Sequence, residues 1–357
     1  METDDTYEPV ENRSEIVFLY DAVDANPNGN PLSGANRPRI DPQTQQAIVT
    51  DVRLKRYLRD QLDDDGLGVY IRNVKEEGES LTREQLLEDR LQELLEEDEL
   101  DPETAEDRVF RTFLDNSADV RYFGATMSVS ALSNDYQDIA ESLPDHFTGP
   151  VQFSPGKSLH PVRENENYNS LTSVIATQEG KEQGGFDLDD HRIQYGLIAF
   201  HGVVDEHAAE DTRLSQEDVE RLDTLCWRAL KNQTISRSKV GQEPRLYLRV
   251  EYEEDGFHIG GLTRDLELDE DASAPVEELR SIRDAVLDVS QLLDRLERHS
   301  ERISTIHVAT SDVLRVSIDG QVIEGNALID ALEETVGGDV AVEKIDVYTD
   351  RPETPTA

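Results

Sequence analysis

The chain has 357 residues, 36% of them hydrophobic, with 78 acidic against 35 basic side chains and a formal net charge of −43. That length can bury a real core and suits one elaborated domain or two. The single cysteine, Cys226, excludes an intramolecular disulfide and any multi-cysteine zinc site, and no apolar run reaches the roughly 18 residues that mark a membrane span.

In ordinary salt such a surface repels itself and any nucleic acid. Either the acids attract a cationic partner, or they are the solvated surface of a protein living in molar salt. They are spread through nearly every segment and lysine is scarce beside arginine, which favours salt adaptation. Near 1 M salt the Debye length is about 3 Å, so only local contacts decide binding and a nucleic-acid partner stays open. The N-terminus "METDDTYEPVENRSE" is polar and acidic, unlike a signal peptide, and the expectation is a soluble, cytoplasmic protein with no membrane partner.

In chain order, "EIVFLYD" (15–21) is rich in strand formers and "ANPNGNPLSG" closes it with turn residues, which predicts a buried strand entering a long loop. "VTDVRLKRYLRDQL" predicts a helix, with Thr50 as N-cap, Asp51 at the positive end and Leu54, Leu58 and Leu62 in one stripe. Arg53, Lys55, Arg56 and Arg59 occupy the remaining faces, either as snorkelling surface residues or as a binding surface. Residues 76–107 carry fifteen acids and two arginines, with Leu87, Leu91, Leu94 and Leu95 at helical spacing, and predict an inserted surface helix.

From "ADVRYFGATMSVSAL" through "GPVQFSPGKSLHPV" the pattern predicts strands and turns. "RENENYNSLTSVIATQEGKEQGGFDLDD" is polar and glycine-rich, as a projecting loop or hairpin would be. "HRIQYGLIAFHGVVDE" predicts a central strand, and "SQEDVERLDTLCWRALKNQ" a core helix capped by Ser215 with Asp218 three residues on. In "PRLYLRVEYEED", Leu246, Leu248, Val250 and Tyr252 alternate with Arg245, Tyr247, Arg249 and Glu251, the pattern of a half-buried strand. Strand, helix, strands, helix, strand is the order of an α+β, ferredoxin-like or RRM-like sheet with helices on one face. "ISTIHVATSDVLRVSIDG" and "DVAVEKIDVYTD" add further strands after it.

No HExxH, EF-hand, GxSxG or P-loop pattern is present, and no metal or cofactor is expected. Asp21 and Asp24 could hold a metal or activate a ribose hydroxyl, or they are solvated turn aspartates. His160 and His191 border the projecting loop, placed to meet a base or to serve a structural polar role. Residues 231–250 hold Lys231, Arg237, Lys239, Arg245 and Arg249 against Glu243 alone, and residues 50–62 hold four cations against Asp51 and Asp60. Two basic islands beside loops rich in small hydrogen-bonding residues are what a phosphate backbone requires.

The ordered motifs "DANPNGNP", "RPRID" with "IVTDVRLKRYLRD", "DVRYFGATMS", "GPVQFSPGKSLHPV", "HRIQYGLIAFHGVV" and "TISRSKVGQEPRLYLRVEY" resemble the Cas7 family, the repeated backbone subunit of the Cascade CRISPR complex, and most closely its type I-B branch. The resemblance implies an RRM-like palm (1–65 and 109–252), an acidic helical finger insertion (66–108), a thumb at about 166–190 and a C-terminal α/β extension (253–357) packing on the palm. It implies a non-enzymatic protein that polymerises along CRISPR RNA beside other Cascade subunits and leaves the guide free to pair with target DNA. Guide binding is thereby carried to Asn26, Asn28, Arg53, Lys55, Arg56, Lys157, His160, Arg237 and Lys239. "IQYGLIAF" only faintly echoes an RNP signature, so Tyr195 and Phe200 either stack on bases or belong to the core. The rival implied by type III relatives is a metal-dependent ribonuclease using Asp21 or Asp24.

Overall fold

The computed structural model describes residues 7–28, 36–72, 75–76, 79–96, 106–127, 143–165, 171–173, 186–188, 191–233 and 239–350. Strands β1 (Ser14–Ala25), β2 (Arg39–Ile40) and β3 (Gln46–Val49) precede helix α1 (Asp51–Asp64). An insertion follows: the small hairpin β4 (Lys75–Glu76) and β5 (Glu79–Ser80), helices α2 (Arg83–Glu96), α3 (Glu106–Asp115) and α4 (Ala118–Phe123), and the hairpin β6 (Gly124–Thr126) and β7 (His146–Thr148). Then come β8 (Val151–Phe153), β9 (Gly156–Pro161), the pair β10 (Leu171–Ser173) and β11 (Phe186–Leu188), β12 (Ile193–Val204), α5 (Glu206–Thr212), α6 (Gln216–Lys231) and β13 (Gln242–Tyr252). The last part carries β14 (Glu267–Leu268), β15 (Leu287–Asp288), α7 (Ser290–Arg298), β16 (Ile303–Thr310), β17 (Arg315–Ile318), β18 (Gln321–Glu324), α8 (Ala327–Val336) and β19 (Ala341–Lys344).

The main sheet runs β19-β16-β13-β1-β12-β9-β3-β2, with β8 also paired to β12. Every pairing in it is antiparallel except β16 with β19. β1 lies at the centre because both of its faces are apolar. Ile16, Phe18, Tyr20 and Ala22 pack with Leu54, Leu58 and Leu62 of α1 and with Leu222, Leu225 and Cys226 of α6. Val17 and Leu19 pack the other way, against Leu262, Leu279 and Leu292 from the C-terminal part.

Both helices begin where their capping residues stand. The Thr50 side chain accepts from the Arg53 N–H, and Ser215 and Asp218 form a reciprocal capping box. The insertion has a core of its own, joining Leu87, Leu91 and Leu94 of α2 to Val109, Phe113, Val120 and Met127. Residues 166–170, 174–185 and 189–190, in the segment expected to project, lie outside the described residues.

Two expectations need correction. "DVRYF" is helical, not strand, because Asp119 is buried as an acceptor for the N–H groups of Tyr70 and Ile71 and for Arg59, and the Tyr122 hydroxyl donates to the Asp218 carbonyl. These tertiary bonds override the strand preference of Val, Tyr and Phe. Strand β13 is buried on both faces, not half-buried: Leu246, Leu248 and Val250 meet the C-terminal part, while Tyr247 faces the helices and Arg249 is 1% exposed.

Candidate nucleic-acid interface

The turn after β1 is held from three sides. The Asn28 Oδ1 accepts from the backbone N–H and hydroxyl of Thr50 at 3.0 and 3.1 Å, so the turn is locked to the start of α1. The Asn26 amide donates to the Asn36 carbonyl at 2.5 Å, and the Lys239 ammonium donates to the Asn26 carbonyl at 2.5 Å. Gly241 (φ +106) lets the chain approach here, since a Cβ on it would stand 2.4 Å from the Val23 oxygen. Burial, reinforced by the charge of Arg53, lowers Lys239 to about 7. Asn26 and Asn28 are themselves buried, and their side chains bond within and beside the turn.

On α1, Arg53 lies over the Tyr57 ring, 5.8 Å from its centroid, and Arg56 pairs with Asp60. Lys55 donates to Gln152 Oε1 at 2.8 Å, has Asp51 at 3.9 Å and sits above the Phe123 ring. Arg59 belongs to Asp119. The second island is more thoroughly neutralised. Arg245 pairs with Asp21 at 2.9 Å, Lys231 with Glu243 at 3.5 Å, and Arg249 grips both oxygens of Asp223 at 2.6 and 2.7 Å. Arg237 lies outside the described residues.

Exposed cations without an ion pair among the described residues stand on the sheet. Arg39 of β2 pairs in register with Ile48 of β3, and Ile48 with Lys157 of β9, which pairs with Ala199 of β12. Side chains directly opposite across a sheet share a face, so Arg39 and Lys157 stand two strands apart on one face, about 10 Å by strand spacing. Both are exposed, and neither makes a hydrogen bond or ion pair among the described residues. Arg37 and Arg163, at the ends of the same strands, are exposed and equally unpaired among those residues. Sequence reasoning reached Lys157 but not Arg39, although it stands in the quoted "RPRID", because only the β2–β3 register brings the two together.

His160 is drawn inward. Its ring is 4% exposed, Nδ1 lies 2.8 Å from the Pro161 carbonyl, Nε2 accepts from the Leu197 N–H at 3.3 Å, and the ring stacks on Tyr195. Both nitrogens are used, and burial lowers its proton affinity. His191 is also buried, 3.4 Å from Glu164.

Of the candidate aspartates, Asp21 is buried and Asp24 half-buried. Burial raises Asp21 to about 6 against the opposing pull of Arg245. Asp24, at φ 45, accepts from the Asn165 amide at 2.6 Å, and its carbonyl accepts from Arg192. Among the described residues the group with metal-ligand proximity is Glu206, His207 and Asp255, away from both, and Glu206 is already paired with Arg13 at 2.7 Å.

A family model described as CRISPR-associated protein Cas7 matches residues 12–290. The chain belongs to the Cas7 family. A curated CRISPR-associated protein Cas7 from Haloferax volcanii is 55% identical over 345 residues, covering 95% of this chain and 98% of that one. Among solved structures, a chain of a CRISPR RNA-guided surveillance complex, pre-nicking, aligns at TM-score 0.44 with 13% identity, covering 91% of this chain and all of that one. A chain of a CRISPR RNA-guided surveillance complex aligns at TM-score 0.45 with 12% identity, covering 94% of each.

In this Cas7-family chain the aromatic pair of "IQYGLIAF" is core: Tyr195 is 2% exposed and Phe200 fully buried. The sheet face that an RRM leaves open for base stacking is covered here by Leu262, Leu266, Leu279 and Leu292. No described helix is long and apolar enough to cross a membrane.

Proposed function

We propose that the chain is the guide-binding backbone subunit of a Cascade-type complex, polymerising along CRISPR RNA, contacting other subunits and presenting the guide to target DNA. One observation carries the reading. In a chain of net charge −43, Arg39 and Lys157 stand on one face near a sheet edge, unpaired among the described residues, while most basic side chains of the two islands are paired. An unpaired cationic strip bordered by the Lys239–Asn26 turn suits a sugar-phosphate backbone. Lys157, Arg53, Lys55, Arg56, Lys239 and Arg237 are the proposed contacts, with Arg39 added, and Asn26, Asn28 and His160 serve as the frame.

The β13-β1-β12-β9 order with α1 and α6 on one face supports an RRM-like, ferredoxin-like palm. The separate core of the insertion supports a finger, the β10–β11 pair a thumb within about 166–190, and the packing of 262–340 on β1 and β13 a C-terminal extension on the palm. The acidic surface and the Haloferax relative support adaptation to salt. The ribonuclease reading is the weaker one, because Asp21 is paired with Arg245 and the Asp24 carboxylate with Asn165.

The test is electron microscopy and nuclease footprinting of the full chain mixed with a repeat-bearing RNA in molar potassium chloride. The reading expects filaments with regularly spaced protection. Unprotected RNA without filaments contradicts it.

A further inference from the structure

A cleft of about 380 Å³ opens between α1, α2 and the β6–β7 hairpin, lined among others by Lys55, Arg83, Phe123, Phe147, Thr126 and Gln152. Its twelve lining residues include two cations, three aromatic rings and no aspartate or glutamate, in a chain where acids outnumber bases by more than two to one. Other clefts are unlike it: those around Arg90, Arg56 and Arg280 each contain acidic residues.

The cations here are poorly satisfied. Lys55 has a neutral hydrogen-bond partner, Gln152, with Asp51 only at 3.9 Å, and burial lowers its proton affinity. Arg83 is exposed, with no side-chain hydrogen bond or ion pair among the described residues, whereas Arg90 on the same helix pairs with Glu93 and the Asn116 carbonyl. Phe147 is held edge-on against Phe110 at 5.5 Å. Gly124 (φ +68) brings β6 close to β7, since a Cβ there would stand 2.3 Å from the Phe147 oxygen.

We propose that this cleft takes one nucleotide of a single-stranded RNA, the base against the half-buried ring of Phe147 and the phosphate between Lys55 and Arg83. The inference rests on the guide-binding reading above and extends it to the finger. In molar salt the reach of charge shrinks to about 3 Å, so cations must touch the phosphate directly. Base–aromatic stacking is far less sensitive to ionic screening and accepts any base.

The test uses the full chain with a thiouridine-substituted single-stranded RNA in molar potassium chloride, photo-crosslinked and mapped by mass spectrometry, beside affinities of Arg83→Ala and Phe147→Ala. We expect crosslinks in peptides holding Phe123–Thr126 or Phe147, and affinity about tenfold weaker for Phe147→Ala. Arg83 is exposed, so its variant keeps the fold and still weakens binding should Phe147→Ala unfold. RNA bound with wild-type affinity by Arg83→Ala and crosslinked only elsewhere overturns the cleft while sparing the guide-binding reading. No RNA binding by the wild type overturns both. Protection of the cleft by a second copy in RNA-free protein assigns it to protein and overturns the proposal.

Discussion

The ammonium of Lys239 donates to the backbone carbonyl of Asn26, 213 residues earlier in the chain, at 2.5 Å. Burial, with Arg53 adding to it, lowers this lysine from 10.5 to about 7. The unfolded chain holds the proton up to about 10.5 and the folded one releases it near 7, so between those values the fold binds fewer protons and its stability rises with pH. A phosphate beside Lys239 favours the charged form. RNA affinity of the wild type is therefore expected to fall as pH rises from about 6 to about 8.5, and to stay flat in Lys239→Arg, whose charge does not titrate there. Fluorescence anisotropy at fixed salt checks this, and parallel pH profiles contradict it.

His160 tests the frame against the contacts. Its ring bridges the Leu197 N–H and the Pro161 carbonyl, so His160→Ala leaves the buried Leu197 donor unmet and should cost about 1–3 kcal/mol of stability. RNA affinity per folded molecule should be unchanged. Denaturant melts combined with binding titrations separate the two effects, and a selective loss of affinity places His160 on the RNA.

Arg249 and Asp223 are nearly inaccessible, and Tyr247 donates to the same carboxylate at 2.9 Å. Asp223→Ala leaves the buried guanidinium with its Nη1 bond to Glu251 alone and should cost about 2–4 kcal/mol, seen as a lower thermal midpoint in molar salt. A shift no larger than that of an exposed surface substitution contradicts a buried pair.

With a net charge of −43, the compact state repels itself when screening is withdrawn. The thermal midpoint should climb as potassium chloride rises from about 0.1 to about 2 M, and a flat profile by circular dichroism opposes salt adaptation.

How much was legible follows from what is local. Helix α1 could be read because Thr50, Asp51 and the Leu54, Leu58, Leu62 stripe lie within one segment. The capping box of α6 was legible for the same reason. The second face of β13 was not, since its cover comes from α6 and Asp223 on one side and from residues beyond 262 on the other. Charge counting also failed locally: the window 231–250 looked open, yet Asp21 and Asp223, from a distant strand and the preceding helix, neutralise Arg245 and Arg249. The Arg39–Lys157 row needed strand register, which spacing in the sequence does not carry.

That row offers the most direct test of guide binding. The full chain and its Arg39→Glu, Lys157→Glu variant should be purified in molar salt from cells expressing the CRISPR RNA, and the retained RNA quantified and sequenced. Both side chains are exposed, so the variant should fold like the wild type by circular dichroism. Repeat-derived RNA is expected on the wild type and at least a roughly tenfold loss on the variant, since two phosphate contacts are reversed in sign. Equal RNA on both proteins, or a wild type that carries none, contradicts guide binding through this row.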